Sequence, residues 1–463
     1  MSLLYFVILP LLASFLTPFF RNYLRYISLA VNLMLLALSF SFLGSLPIRE
    51  SISFDSPLSI AFVLDSASLF FIVLFLSIMT LFSIYAIRDK SRKDIFILTN
   101  MLLASVSGLV LSGDIFNIYI FFEIASISAY ILTSLQKDKE AYSGAIRYMI
   151  MGAVASIFLL IGIMTIYLNL GTLNLVTIGE KFSTIDNQIK SLTLISLFIG
   201  FGIKAEIFPL NFWVVDIYQA STNRVNALFS SVLSKAYIFL FFHIAYILGV
   251  NIKILSFLAI LGIISFGVSE ISALSSKNLK RVFAYSTLGQ IGVLFIALSS
   301  SSIVATTGAI FLIALHAITK LMLFLSLDIL EDRFSSVNID IFKKFNSLFL
   351  ISIFAIGFLS LLGVPPFGGF IAKLTILEGL ITKSEYILVG AILVISLIEA
   401  VYLFKLLGMS REAGEKSSLD IPILKRGVLS IMALSIIYLG IFPELFLQIC
   451  KSVALALVGV DNV

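Results

Sequence analysis

Apolar runs near twenty residues long follow one another from end to end of this 463-residue chain. A helix needs about that length to cross the hydrocarbon core of a bilayer. Repetition at that length is not how a soluble core is written. Fourteen spans can be placed: 3–20, 23–46, 65–87, 94–112, 114–135, 142–169, 191–220, 225–249, 252–274, 282–299, 303–330, 344–382, 385–409 and 427–449. Two of them, 191–220 and 344–382, are interrupted. The expected fold class is an all-α polytopic membrane protein with about 14 transmembrane helices.

Composition agrees, with 60% hydrophobic and 12% charged residues, outside the range of soluble domains. Loops after odd-numbered spans carry most of the cations: Arg21, Arg25, Arg88, Lys90, Arg92, Lys93, Lys137, Lys139, Lys277, Lys280, Arg281, Lys343, Lys344, Arg411, Lys416, Lys425 and Arg426. Loops after even-numbered spans hold few, such as Arg49, Lys181, Lys190, Lys253 and Lys383. Positive loops stay in the cytoplasm. The expectation is a multi-pass protein of the cell (inner) membrane with both termini on the outer side. The N-terminal segment reaches its first positive charge only at Arg21, which reads as a retained helix and not a cleaved leader. The loop 47–64 alternates polar and apolar residues and predicts a short external hairpin.

Several chemistries are set aside. The single cysteine, Cys450, rules out a disulfide framework, a cysteine zinc site or an iron–sulfur cluster in this chain. His243 and His316 are the only histidines. No cofactor, metal or redox centre is expected, and no basic run interleaved with aromatics points to nucleic acid. The lipid bilayer is the first partner.

A charge inside lipid is costly, about 2.5–3.5 kcal/mol at a helix centre on insertion scales. Lys204 and Lys235 both lie deep in apolar runs, and Pro209 follows the first by five residues. A third lysine, Lys373, follows the run Gly363-Val364-Pro365-Pro366-Phe367-Gly368-Gly369. Proline breaks the helical ladder, and broken helices at membrane depth persist only inside protein or against a wet cavity. One broken helix per half points to an internal repeat and to a transport site. Snorkelling to an interface is the alternative for these lysines, and it fits Lys235 poorly.

Other ionisable residues join them. Glu123 reads either as a neutral acid bonded to a neighbouring helix or as counter-ion to a buried lysine. His316 and Lys320, four apart, share a helix face; the histidine either bonds a carbonyl or relays a proton. Glu206 is placed beside Lys204 facing a wet cavity. Asp328 and Glu378 are placed near helix ends, and Glu399 deeper, without an assigned partner. Asp65 and Asp114 stand at span starts, where helix N-termini favour carboxylates.

The stretches FVLDSASLFF (62–71), FNIYIFFEIASISAYIL (116–132), GIKAEIFPLNFW (202–213), KAYIFLFFH (235–243), LKRVFAYSTLGQIGVLF (279–295), ALHAITKLMLFLSL (314–327) and GVPPFGGFIAKLTIL (363–377) occur in a characteristic order. In them the chain resembles the antiporter-like membrane subunits shared by respiratory complex I, Mrp-type Na+/H+ antiporters, and membrane-bound hydrogenase and sulfane reductase complexes. The resemblance runs from about residue 60 to 410. It implies two inverted five-helix repeats, each with a broken helix. The implied division is 1–93 for helices 1–3, 94–249 and 250–410 for the repeats, and 411–463 for a linker and helix 14. It also implies that Glu123, Lys204, Lys235, His316, Lys320 and Lys373 line a proton pathway. By their own positions in the chain, His243, Glu206, Asp328, Glu378 and Glu399 are further candidates for it.

The chain departs from the family at Asn211, usually histidine, and at STNRVNA (221–227), usually proline-rich. His243 fills an arginine-type position, Asp328 a small one, and Phe122 precedes Glu123 where relatives carry tryptophan. The function implied is a non-catalytic, proton-moving subunit of a redox-driven membrane complex. Its partners would be other membrane subunits, H+ and Na+. The alternatives are a Mrp-type antiporter subunit and a self-sufficient cation/H+ transporter.

Overall fold

The computed structural model describes residues 2–16, 19, 23–52, 60–88, 94–410 and 417–459. The hairpin tip and the loop cations Arg21, Lys90, Arg92, Lys93, Arg411 and Lys416 lie outside the described residues.

Helices α1 (Tyr5–Leu16) and α2 (Leu24–Phe40) lead into an antiparallel pair, β1 (Ile48–Ile52) with β2 (Ile60–Leu64). The expected hairpin is therefore present. The Asp65 carboxylate starts α3 (Ser66–Ala86) by accepting the Ser68 N–H, and the Ser68 hydroxyl in turn accepts the Asp65 N–H. Such reciprocal caps satisfy amide groups that a helix start leaves open. After α4 (Asp94–Leu111), Asp114 caps α5 (Ile115–Thr133) in the same manner through the Asn117 N–H. Both aspartates thus take the structural role read from sequence. The 32-residue α6 (Lys139–Leu170) ends at Gly171, whose φ of 65° only glycine adopts freely. Then come a short α7 (Leu175–Lys181), α8 (Asn187–Lys204), α9 (Val214–Ala220) and α10 (Asn223–Leu228), which passes through a π turn into α11 (Ser234–Ile247).

The same order recurs: α12 (Ile252–Ser275), α13 (Leu279–Ser299), the 32-residue α14 (Ile303–Phe334), a broken pair α15 (Leu348–Leu362) and α16 (Gly368–Thr382), then α17 (Tyr386–Met409). Two short strands, β3 (Phe345–Asn346) and β4 (Ser417–Ser418), pair in parallel before α18 (Ile423–Ile441) and α19 (Glu444–Val458). In each set three whole helices are followed by a broken one and a last whole one. In each, the 32-residue helix packs on the segment that carries a lysine, α6 on α8 and α14 on α16.

Each expected span coincides with a helix, and among the described residues ten helical stretches are long and apolar enough to cross a bilayer. The chain is an all-α, multi-pass membrane protein. The last span needs correction: it ends at Ile441, not 449, and α19 is a separate helix. Pro443, lacking an N–H, stands at the junction and cannot continue the ladder. The buried positions of α19, Cys450, Val453, Ala454 and Leu457, fall on one face.

Residues 1–205, 232–250 and 455–463 form one compact unit; 206–231 and 251–454 form another. In the first, α6 shows Ile146, Met149, Ile150 and Ile157 outward and turns Gly152, Ala155 and Ser156 inward. Gly200 of α8 lies so near that a Cβ there would stand 2.9 Å from the Ala155 carbonyl. Small residues let backbones approach where lipid supplies no hydrophobic drive.

In the second unit α12 and α13 meet through Gly262 and Gly292. A Cβ on Gly292 would stand 2.6 Å from the Gly262 carbonyl and 2.7 Å from the Phe266 nitrogen. Backbone cannot yield as a side chain does. The expected result for Gly292→Val is a loss of roughly 1–3 kcal/mol, read as earlier thermal aggregation of the purified protein in detergent. An unchanged transition would show that the two helices can part freely there.

Candidate functional site

The first break runs from Ala205 to Trp213. Lys204 is the last residue of α8, where the carbonyl end of a helix favours a cation. Its ammonium is buried and surrounded by rings: Tyr148 at 4.5 Å, Tyr130 at 5.0 Å, Phe122 at 5.7 Å and Tyr237 at 5.9 Å to the centroids. The Tyr130 hydroxyl lies 3.3 Å from Nζ. Desolvated cation–π contacts are worth about 2 kcal/mol or more, so this cage offsets much of the cost of burial. Gly152 makes it possible, because a Cβ there would overlap the Tyr130 hydroxyl.

Glu123 of α5 is half-buried and accepts a hydrogen bond from the Ser156 hydroxyl of α6. Lys204 acts on it electrostatically. Glu123 is thus bonded to a neighbouring helix and lies within electrostatic reach of a buried cation. Lys235 is fully buried at the start of α11, its Nζ 3.2 Å from the Ser234 hydroxyl. His243 stands two turns further along α11, stacked on Phe239 at 5.1 Å. All of these residues belong to the first unit.

The second unit holds the others. Gly363, at φ 79°, ends α15, and the chain turns through Pro365 and Pro366 before α16. A broken helix leaves carbonyls without partners. Lys373 reaches back toward one of them, Leu362 O, at 3.4 Å. The same ammonium forms a buried ion pair with Glu399 of α17 at 3.0 Å. Gln290 of α13 donates its amide to the other Glu399 oxygen at 2.8 Å. Glu399, left without a partner in the sequence reading, thus has two. Glu270 of α12, which that reading passed over, is fully buried and accepts the Tyr402 hydroxyl at 2.9 Å. Gly289 gives it room, since a Cβ there would overlap its carboxylate. Lys320 of α14 donates to Phe283 O at 3.0 Å and Ser286 Oγ at 2.9 Å. His316 is buried one turn before it.

Glu206 is buried too, with a left-handed backbone at φ 62°, uncommon for a residue with a Cβ. Glu378 is exposed near the end of α16, as its placement at a helix end implied. Asp328 is not solvated. It is buried and receives Arg224 Nε at 3.1 and 3.0 Å. Two of the positions that depart from the family pattern, Arg224 within 221–227 and Asp328, therefore answer each other. Lys280 pairs with Glu331 at 2.9 Å and donates to Ser221 O at 3.1 Å, while Lys425 stands 3.8 Å from Asp328. Their sequence separation, 104 residues for Arg224 and Asp328, hid the pair. Removing one partner of a buried pair costs about 3–5 kcal/mol. Arg224→Leu is expected to lower the thermal midpoint of the protein in detergent, and the double change with Asp328→Leu to restore most of it. Equal losses in both would deny the coupling.

Ionisable groups sealed at two helix breaks define an ion-translocating class of membrane protein. A family model described as NADH:quinone oxidoreductase/Mrp antiporter, transmembrane, matches residues 112–399. The chain belongs to that family.

Curated relatives include chains named antiporter subunit mnhD2. One from Staphylococcus epidermidis is 28% identical over 86% of this chain and 82% of its own. One from Staphylococcus aureus is 27% identical over 96% and 93%. Among solved structures, a chain of the membrane-bound sulfane sulfur reductase, an archaeal respiratory membrane complex, superposes with TM-score 0.92 at 26% identity, over 100% of this chain and 99% of that one. A chain of the Mrp complex from Dietzia sp. DQ12-45-1b gives 0.90 at 20% identity, over 98% and 97%. One from respiratory complex I of Thermus thermophilus gives 0.80 at 22%, over 97% and 99%. The last two show the shared fold.

Proposed function

We propose that this chain is a proton-translocating, antiporter-like subunit of a multisubunit, redox-driven complex in the cell membrane. The observation that carries the reading is the buried Lys373–Glu399 pair at the second helix break, matched by the caged Lys204 at the first. Membrane-buried charges of this kind are expensive and mark ion paths. The sulfane sulfur reductase chain, similar along its whole length, supports a redox-driven parent complex.

In this reading Glu123, Lys204 and Lys235 belong to one part of the route and His316, Lys320 and Lys373 to the other. His243, Glu206 and Glu399 extend it; Asp328 and Glu378 flank it. The residues 94–249 and 250–410 act as the two inverted transport repeats, with 1–93 and 411–463 outside them. Both termini face outward. A lysine held between burial, which disfavours its charge, and a carboxylate, which favours it, can exchange protons. Movement of Glu123 relative to Lys204 changes that balance, and the proton leaves for the next site. A proton moved against about 100 mV needs about 2.3 kcal/mol, supplied by a redox partner subunit.

The mnhD2 relatives favour a second reading, in which the chain serves a Mrp-type antiporter and a sodium gradient supplies the energy. The deciding experiment reconstitutes the parent complex in liposomes with a lumenal pH dye. Acidification driven by an electron donor without sodium supports the redox-driven pump; acidification that requires a sodium gradient and no donor supports the antiporter; proton movement under neither condition would overturn both.

A further inference from the structure

A cavity of about 550 Å³ opens in the first unit between the β1–β2 hairpin, α7 and α11, and the tip of α19 forms one wall. Its polar groups are graded by depth. Arg49 and Glu180 are exposed at the rim, and Asp65 and His243 are half-buried further in. Lys235, on the same helix as His243, is fully buried and does not line the cavity. A shallower recess of about 340 Å³ shares Arg49, Val63 and Glu180 with it and continues it outward.

Three facts point to what occupies it. Among the described residues the capping bonds of Asp65 use Oδ1 alone, so its second oxygen remains for the cavity. The buried Nδ1 of His243 has no hydrogen-bond partner among the described residues, and a buried polar nitrogen of this kind calls for water. Asp65 acts electrostatically on His243. With two carboxylates against one arginine, the lining favours cations.

We propose that this cavity is a water-filled cation vestibule in which Asp65 and His243 pass protons between the hairpin side of the membrane and Lys235. Its link to transport rests on the proton-conducting reading above; its wetness and charge preference do not. Lys235 lies eight residues before His243 on α11, about 12 Å along the axis, a distance that water or a side-chain movement bridges. The electrostatic role of Asp65 adds to its helix-capping one.

The test uses the whole complex in sealed vesicles of both orientations, in a Cys450→Ala background. Tyr246→Cys probes the wall formed by α11 and Val63→Cys the wall formed by the hairpin. The probes are impermeant thiosulfonate reagents, trimethylammonioethyl (cationic) and sulfonatoethyl (anionic). Both cysteines should label from the hairpin side, the cationic reagent reacting severalfold faster. Asp65→Asn keeps a good helix cap and should abolish that preference. Labelling at Tyr246→Cys, or the change His243→Phe, should cut proton flux severalfold in complexes that assemble normally.

Failure of both cysteines to label would show a dry cavity and overturn the proposal. Labelling without charge preference would overturn the cation assignment. Expected labelling with flux unaffected by the reagent and by His243→Phe would remove the vestibule from the proton route. If instead labelling is as expected but no proton transport occurs in any form of the complex, the proposed function fails and the vestibule stands.

Discussion

Complexes carrying Lys204→Ala are expected to assemble normally and to lose proton transport. The change removes the cation at the centre of the Tyr130, Tyr148, Phe122 and Tyr237 cage and the charge that faces Glu123. Moving one proton against about 100 mV needs about 2.3 kcal/mol, and a step deprived of that much support slows roughly fiftyfold. Lys204→Met, which fills the same space without charge, should behave alike, so that loss of packing is separated from loss of charge. Proton flux into liposomes is the measurement, with subunit content checked by gel filtration. Undiminished flux in a well-assembled Lys204→Met complex would make Lys204 structural and the route through this chain wrong.

Glu399→Leu should be the most damaging change in the second unit. It leaves Lys373 buried without its counter-ion and removes the acceptor of the Gln290 amide. Breaking a buried ion pair from one side costs about 3–5 kcal/mol, whereas replacing both partners by apolar groups is often close to neutral. The double change Lys373→Met with Glu399→Leu is therefore expected to regain most of the thermal stability lost by the single one, yet to remain inactive in transport. That separation of stability from flux distinguishes a pathway pair from a structural pair. A double variant as unstable as the single would mean the two side chains are not energetically coupled. One that pumps normally would take the pair off the proton route.

The hydropathy of the chain located the long membrane helices because a bilayer demands about twenty apolar residues of any crossing segment, and that demand is local. Caps were equally legible: Asp65 and Asp114 act on amides three residues away. So were both breaks, since a proline within a long apolar run removes a donor and crowds the preceding turn. The end misplaced furthest, at Ile441, came from reading an apolar run through Pro443. The buried lysines stood out for the same reason, a charge in an apolar run being costly regardless of fold.

Partners are another matter. Glu399 meets Lys373 across 26 residues, Gln290 across 109, and Glu270 meets Tyr402 across 132. No local pattern encodes such pairings. The glycines at 152 and 289 reveal their purpose only when Tyr130 and Glu270 are seen filling the space. Glu270 escaped notice because it lies in a whole helix beside no break. The sequence by itself determined where the membrane is crossed, where helices break and that the lysines inside apolar runs are buried, because each follows from the solvent that a short segment must face. Only the tertiary structure decided which rings cage Lys204, which carboxylate neutralises Lys373 and which pair Arg224 forms, because hydrogen bonds and ion pairs act over about 3 Å and only folding brings residues a hundred positions apart within that reach.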